Sequence, residues 1–250
     1  MGNIGVFNQL ATNTNTYLNT ARPFSLDFQV YRRTFDDIDR KLGFRSEDKV
    51  LDLGGGCGQI TKYIAAKVTE VVLADGANNT LAVAQKNLRH HANITYRLID
   101  ITVLPLPFLD DYFDHVVCYS VVHYLNNFDE FSRLVAELLR VTKPGGKILI
   151  GEIPLSDKSS AYFKERRKRP LLNFLLNVRY YCKKYLTKLF YVLDGVDDAQ
   201  LKGLTYDRKI ISDILNTFSS ARFEFLAQDK KLPVANSRED VLIVKNLQKR

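Results

Sequence analysis

Cysteine is scarce in this chain of 250 residues. Cys57, Cys118 and Cys182 are odd in number and show no Cys-x-x-Cys spacing. That argues against a disulfide framework and for a reducing compartment. No Cys/His cluster offers zinc ligands, so no metal site is expected. Long apolar runs are missing too. No stretch approaches the roughly 18 consecutive apolar residues of a spanning helix. Met1 to Thr20 is rich in Asn and Thr and lacks the basic start and apolar core of a signal peptide. Internal repeats and low-complexity linkers are absent. The expectation is a soluble, cytoplasmic protein that at most touches a membrane surface. Hydrophobic residues make up 46% and charged residues 26%, which is ordinary globular usage and excludes disordered and collagen-like classes. The length suits one large α/β domain with a full core.

The formal charge is +8, a value compatible with nucleic acid, an anionic membrane or an acidic substrate. It is unevenly placed. Leu155 to Tyr191 holds 10 basic and 2 acidic residues, and the rest of the chain holds 26 of each. The whole excess belongs to one segment.

From Lys49 onward, strand and helix signals alternate. Val50 to Leu53 is an apolar run entering Gly54-Gly55-Gly56-Cys57-Gly58. A helical stretch follows, Gln59 to Lys67. Val71 to Ala74 is β-rich and ends at Asp75. Asn78 to His90 reads as a helix capped by Asn78 or Asn79. Ile94 to Ile99 and His115 to Tyr119 read as strands, and Phe128 to Leu139 as an amphipathic helix. Lys143-Pro144-Gly145-Gly146 reads as a sharp turn that stops this helix. Lys147 to Ile153 is a fifth strand. Strands separated by helices imply right-handed crossovers and a parallel sheet covered on both faces. Ala221 to Gln228 and Asp240 to Lys245 have no helix between them and should pair antiparallel.

The glycine cluster between a strand and a helix permits a tight turn and close approach of a ligand. Asp75 lies 21 residues after Gly54, at the end of the next strand. An acidic residue there can bind both hydroxyls of a ribose. A nucleoside-containing cofactor follows, and two compete. A dinucleotide needs G-x-G-x-x-G, whereas Gln59 stands at the third glycine position and Gly58 precedes it. Asp52 would repel a pyrophosphate and help hold a cationic amino group.

Taken in order, these residues resemble the class I S-adenosylmethionine-dependent methyltransferases. The matching positions are Val50 to Gly58, Asp75, Asp100-Ile101, Phe113-Asp114, Ser120 and Lys143 to Gly146. The resemblance covers about Lys49 to Ile153. It implies a Rossmann-like, doubly wound α/β fold with a mostly parallel seven-stranded sheet, a C-terminal antiparallel hairpin and a helical lid and insertion. It also implies S-adenosylmethionine as cofactor and S-adenosylhomocysteine as product. Gly54, Gly56 and Gly58 would line the methionine part, helped by Asp52. Asp75 would bind the ribose, with Gly76 beside the sugar. Asp100 would accept from the adenine amine, with Ile101 on the ring. Ser120 would face the sulfonium end through its backbone. The chain then divides into a helical lid (1–48), a cofactor core (49–154), a basic helical insertion (155–205) and a closing helix with hairpin (206–250).

Methyl transfer asks the protein to align the acceptor and exclude water. An acceptor hydroxyl also gains from a nearby base. His123, three residues past Ser120, is the leading candidate, against a structural histidine bonded to backbone. Tyr124 is a weaker candidate and an expected substrate contact. Tyr17 and Tyr31 are expected near the cofactor or acceptor, or else pack as ordinary aromatics. The Asn/Asp-Pro-Pro-Tyr/Phe signature of nucleic-acid amine methylation is absent after the fourth strand. So is a paired-glutamate loop for an arginine substrate. The remaining expectation is a small-molecule acceptor, methylated at oxygen in a biosynthetic pathway. Its rivals are an RNA or lipid-linked acceptor, and a non-catalytic cofactor-binding partner protein.

Between the fifth and sixth strands lie about 65 residues, more than a crossover needs. Leu171, Leu175, Val178, Cys182, Leu186 and Leu189 fall on one helical stripe. Arg179, Lys183, Lys184 and Lys188 fall mostly elsewhere. The segment reads as a lid packing its stripe on the domain, as a lid whose cations (Arg179 among them) meet an anionic acceptor, or as a helix on an anionic membrane. Nucleic acid is disfavoured, since no RNA-binding module is present.

Overall fold

The computed structural model describes residues 3–11, 29–158, 178, 182, 185, 203–232 and 235–247. Two helices precede the sheet, α1 (Asn3–Ala11) and α2 (Val30–Leu42). Then come β1 (Lys49–Leu53), α3 (Thr61–Ala65), β2 (Glu70–Asp75), α4 (Asn78–Asn87) and β3 (Ile94–Leu98). β4 (Phe113–Tyr119), a short 3-10 turn at Val122–Tyr124, α5 (Phe128–Val141) and β5 (Thr142–Pro154) follow. α6 (Arg208–Leu215), β6 (Ala221–Leu226) and β7 (Arg238–Lys245) end the described chain.

The seven strands run in the order β3-β2-β1-β4-β5-β7-β6. β1 to β5 pair parallel, and β7 joins β5 and β6 antiparallel. This is the doubly wound sheet with a closing hairpin that the sequence pattern implies. The inner strands β1, β2 and β4 are apolar and buried because both faces are covered, whereas the edge strands β3 and β6 are partly exposed. Leu51, Val116, Cys118 and Ile148 pack with Phe131, Leu134 and Leu138 of α5 and Ile211 of α6. Val50, Val71, Val117 and Leu149 pack on the other face with Phe35, Ile38 and Leu42 of α2 and Ile64 of α3. Burial of each such side chain contributes about 1.5–3 kcal/mol. The strand order reverses between β1 and β4, which run parallel, and the crevice at their C-terminal ends is where such sheets hold ligands.

Three local expectations change. Asn78 and Asn79 do not cap α4. Its N-cap is Ala77, with extended backbone. The cap comes instead from α1, where Asn8 Oδ1 accepts the Asn79 N–H at 2.9 Å and the Asn8 carbonyl accepts from Asn79 Nδ2 at 3.1 Å. Lys143 to Gly146 does not separate helix from strand. α5 already stops at Val141, and Lys143 to Gly146 lie within β5 without a β4 partner, where the register jumps from Phe113↔Thr142 to His115↔Lys147. Gly145 has φ 81°, which glycine adopts without strain. The helix after the glycine cluster is also shorter than Gln59 to Lys67, because Gln59 and Ile60 belong to the turn before it and Ala66 and Lys67 to the turn after it.

Asp52, near the end of β1, is only 3% exposed. Its Oδ2 accepts the Thr61 hydroxyl at 2.6 Å and so ties β1 to α3 beneath the glycine cluster. Burial pushes its pKa from 3.8 up to about 6, the Thr61 bond opposes this, and the charge of Asp75 adds to it. A folded pKa above the unfolded one makes this contribution fully favourable below about pH 3.8 and lost as pH rises through about 6. Asp52→Asn keeps an acceptor for Thr61 and removes the buried charge. We expect urea unfolding to show the variant more stable than wild type by about 2–3 kcal/mol near pH 8, with the difference shrinking as pH falls through about 6 and vanishing only below about pH 3.8. An equal difference at every pH would contradict this assignment.

Candidate active site

The cluster after β1 owes its shape to close packing. Gly54 has φ 75°, and a Cβ there would lie 2.2 Å from Val121 Cγ2. Its N–H donates to the Ala74 carbonyl at 2.7 Å, which turns the chain back across the top of β2. A Cβ on Gly56 would meet nothing within 4 Å, so its backbone faces open space. Gly54, Gly55 and Gly56 line a cavity of about 440 Å³. Gly58 does not. A Cβ there would lie 2.4 Å from Leu88 Cδ1, so this glycine serves packing against α4 rather than the cavity wall. Asp52 is also behind the wall rather than on it. A Cβ on Gly55 would sit 3.0 Å from its Oδ2. The expected direct contact of Asp52 and Gly58 with a ligand is therefore corrected: one supports the loop from below and the other seats it on a helix.

Asp75 lies on the cavity wall. Its Oδ2 accepts the Gly56 N–H at 3.0 Å and its Oδ1 the Ala77 N–H at 2.9 Å. Burial raises its pKa, and the backbone donors Ala77, Gly56 and Gly76 oppose the rise without cancelling it. Asp100 and Ile101 stand further along the same wall. The Thr102 N–H and hydroxyl both donate to Asp100 Oδ1, at 2.9 and 2.7 Å, so the second oxygen is the one left for a ligand amine. Ser120 also lines the cavity. It has φ 62°, a left-handed conformation uncommon outside glycine, and its N–H donates to the Gly151 carbonyl at 2.9 Å. Gly76 is roofed by α1, because a Cβ there would lie 3.1 Å from Ile4 Cδ1.

Part of the lining is aromatic. Phe7, Tyr31 and Tyr124 all contribute to it. The Phe7 and Tyr124 rings meet edge to face at 5.1 Å, and Asn3 Nδ2 donates to the Tyr124 carbonyl at 3.0 Å. His123 is not on the wall. It is 7% exposed, its ring lies 4.0 Å from that of Tyr124, and its carbonyl accepts the Leu204 N–H at 2.6 Å. The expected base thus stands behind Tyr124, turned there by the 3-10 turn that puts Tyr124 on the cavity. Tyr17 and Arg179 lie outside the described residues. Of the basic segment's stripe, Val178 and Cys182 are described. Both are helical and exposed, so the stripe does not pack on the domain at these two positions.

Sequence reasoning missed α1, which supplies Asn3, Ile4 and Phe7 to the cavity. The signal was present in Ile4, Phe7 and Ala11 with Val6 and Leu10, a helical spacing overshadowed by the Asn-rich composition. It also missed Tyr119, hidden inside a strand, and gave Gln59 no role beyond breaking the glycine pattern. Gln59 lines the cavity, and its side-chain amide hydrogen-bonds the Cys57 thiol. The glycine cradle, Asp75 and Asp100 together fit S-adenosylmethionine.

Comparisons with known proteins agree. A family profile described as methyltransferase domain matches residues 51–150. The chain is 36% identical over 132 residues to the ubiquinone/menaquinone biosynthesis C-methyltransferase of Proteus mirabilis, a match covering 48% of this chain and 51% of that relative. In that match the chain spans about half the relative's length. It is 30% identical over 192 residues to the enzyme of the same name from Francisella philomiragia, covering 73% of this chain and 74% of the relative. Among solved structures, the fold resembles Haemonchus contortus phosphoethanolamine N-methyltransferase 1, with TM-score 0.69, 15% identity, and coverage of 97% of this chain and 48% of that one. It also resembles the N-methyltransferase NodS of Bradyrhizobium japonicum, with TM-score 0.60, 13% identity and 98% of both chains covered. The glycine cradle, the carboxylates that end β2 and follow β3, and these likenesses lead to one family: the chain is a class I S-adenosylmethionine-dependent methyltransferase.

Proposed function

We propose that this enzyme methylates a ring carbon of a small, electron-rich aromatic acceptor of the phenol or hydroquinone class. The observation that carries the reading is the aromatic lining of the cavity. Phe7, Tyr31 and Tyr124 line it together with the glycine loop, Asp75 and Asp100. A flat apolar acceptor stacks well on aromatic rings, at centroid separations of about 4.5–7 Å. The relatives named above are C-methyltransferases by name, which favours carbon over the oxygen expected from sequence. When bound, S-adenosylmethionine supplies an already activated methyl group.

The protein's own work is then binding, orientation and exclusion of water. In this reading Asp75 accepts from the ribose hydroxyls and Asp100 Oδ2 from the adenine amine, with Ile101 on the ring face. The N–H of Gly56 is taken by Asp75, so the loop offers shape rather than that donor. The backbone around Ser120 faces the reacting centre, and α1 closes the site over Gly76. Methylation at carbon leaves one ring proton to be lost to water or to the acceptor's own oxygen, and no strong base need stand on the wall. His123 then supports Tyr124 rather than taking a proton.

Three outcomes are expected. Asp75→Ala weakens S-adenosylhomocysteine binding by about 10–100-fold in calorimetry, as expected when hydrogen bonds to a charged acceptor are lost. His123→Asn lowers kcat by less than about 10-fold and leaves the shape of its pH profile unchanged, whereas loss of an essential base removes about 100-fold or more and flattens one limb. Incubation with S-adenosylmethionine and a panel of phenols and hydroquinones yields products that have lost a ring proton and gained a ring methyl in their NMR spectra. Methoxy products would move the assignment to oxygen. Transfer to neither class would overturn the acceptor reading.

A further inference from the structure

A buried polar chain runs from the cavity to the far end of α2. Tyr119, at the end of β4, lines the cavity and is 6% exposed. Its ring lies across Gly151 of the neighbouring strand, where a Cβ would come within 2.1 Å of Tyr119 Cδ2. Its hydroxyl accepts from Gln228 Nε2 at 2.9 Å, and the same nitrogen donates to Asp240 Oδ1 at 2.8 Å. Asp240 is fully buried on β7. Its Oδ1 also accepts the Glu152 N–H at 2.9 Å, and its Oδ2 pairs with Lys41 Nζ at 2.6 Å. Lys41 pairs in turn with Asp37 at 2.6 Å on α2.

This chain grips the two strand ends that shape the reacting end of the cavity. Ser120 and Glu152 both have positive φ, 62° and 56°. Each directly follows one member of the paired residues Tyr119 and Gly151. The β5–β7 register shifts between Ile150 and Ile153, where the Glu152 N–H leaves the ladder for Asp240. A left-handed non-glycine residue persists only where its surroundings over-determine it. Here the surroundings are the Ser120 N–H to Gly151 bond on one side and the Asp240 carboxylate on the other. Gln228 meanwhile leaves its own Oε1 buried without a partner among the described residues. A stability role alone would favour a side chain with every polar atom satisfied. The retained amide therefore points to geometry at the cavity.

We propose that Gln228 and Asp240 are positioning residues for methyl transfer, holding Tyr119 and the turn at Ser120 on the cavity wall through a hydrogen-bonded chain anchored by Lys41 and Asp37. The proposal rests on the acceptor reading above only for its turnover test. It is tested in the full chain with Gln228→Met, Tyr119→Phe and the double variant. Each single variant should keep S-adenosylhomocysteine affinity within about 2-fold and lower kcat by about 10-fold, with KM for the acceptor little changed. The double variant should fall by about 10-fold rather than about 100-fold, because both remove one link. Tyrosine labelled at Cζ gives a second readout, with the Tyr119 resonance assigned by its loss in Tyr119→Phe. It should shift or split in Gln228→Met while the thermal midpoint stays near that of wild type. If wild type methylates nothing in the panel, the acceptor reading falls, and the resonance alone decides the positioning role. A Tyr119 resonance unmoved in Gln228→Met, or additive losses in the double variant, would overturn the proposal.

Discussion

The arrangement depends first on the Asp75 carboxylate. It ends β2, accepts the N–H groups of Gly56 and Ala77, and so fixes the glycine loop against the start of α4. Three backbone donors act on it, yet burial still wins and leaves its pKa raised. A buried carboxylate left short of donors is costly. Ligand hydroxyls at this position would complete its shell. The seat for the ribose and the shape of the loop are thus one interaction seen from two sides. Asp52 adds to it from beneath, bonded to Thr61 and buried against the loop without reaching the cavity.

The second constraint is the parallel sheet itself. Its C-terminal ends gather the glycine loop, Asp75, Asp100 and Ser120 on one rim. The antiparallel β7 closes the sheet and brings Asp240 beside the kink at Glu152. The hairpin is therefore linked to the site through Gln228 and Tyr119. On the other side, α1 completes the cavity. Its Asn8 caps α4, and its Phe7 meets Tyr124. Carboxylates and aromatic rings thus line the same cavity.

Much of this was legible in the sequence because it is local. Strand runs, the glycine cluster and acidic residues at strand ends are read over a few positions. Asp75, Asp100, Ile101 and Ser120 accordingly appear on the cavity where expected. What was not legible depends on direction and distance along the chain. Asp52 and Gly58 lie in the right motif, but one side chain points under the loop and one position faces Leu88. His123 follows the right strand, but a 3-10 turn carries it behind Tyr124. α1 reaches the site across more than a hundred residues of sequence, from Asn3 to Tyr124. The link from Tyr119 to Gln228 spans a similar distance. No spacing rule encodes such contacts.

The central claim is that one cavity holds S-adenosylmethionine against the glycine loop, Asp75 and Asp100. A crystal structure of the full chain with S-adenosylhomocysteine tests it most directly. The account predicts ribose hydroxyls on Asp75, the adenine amine on Asp100 with Ile101 against the ring, and the sulfur beside Ser120, facing Tyr124. A ligand bound elsewhere, or one reversed so that adenine lies against the glycine loop, would contradict it.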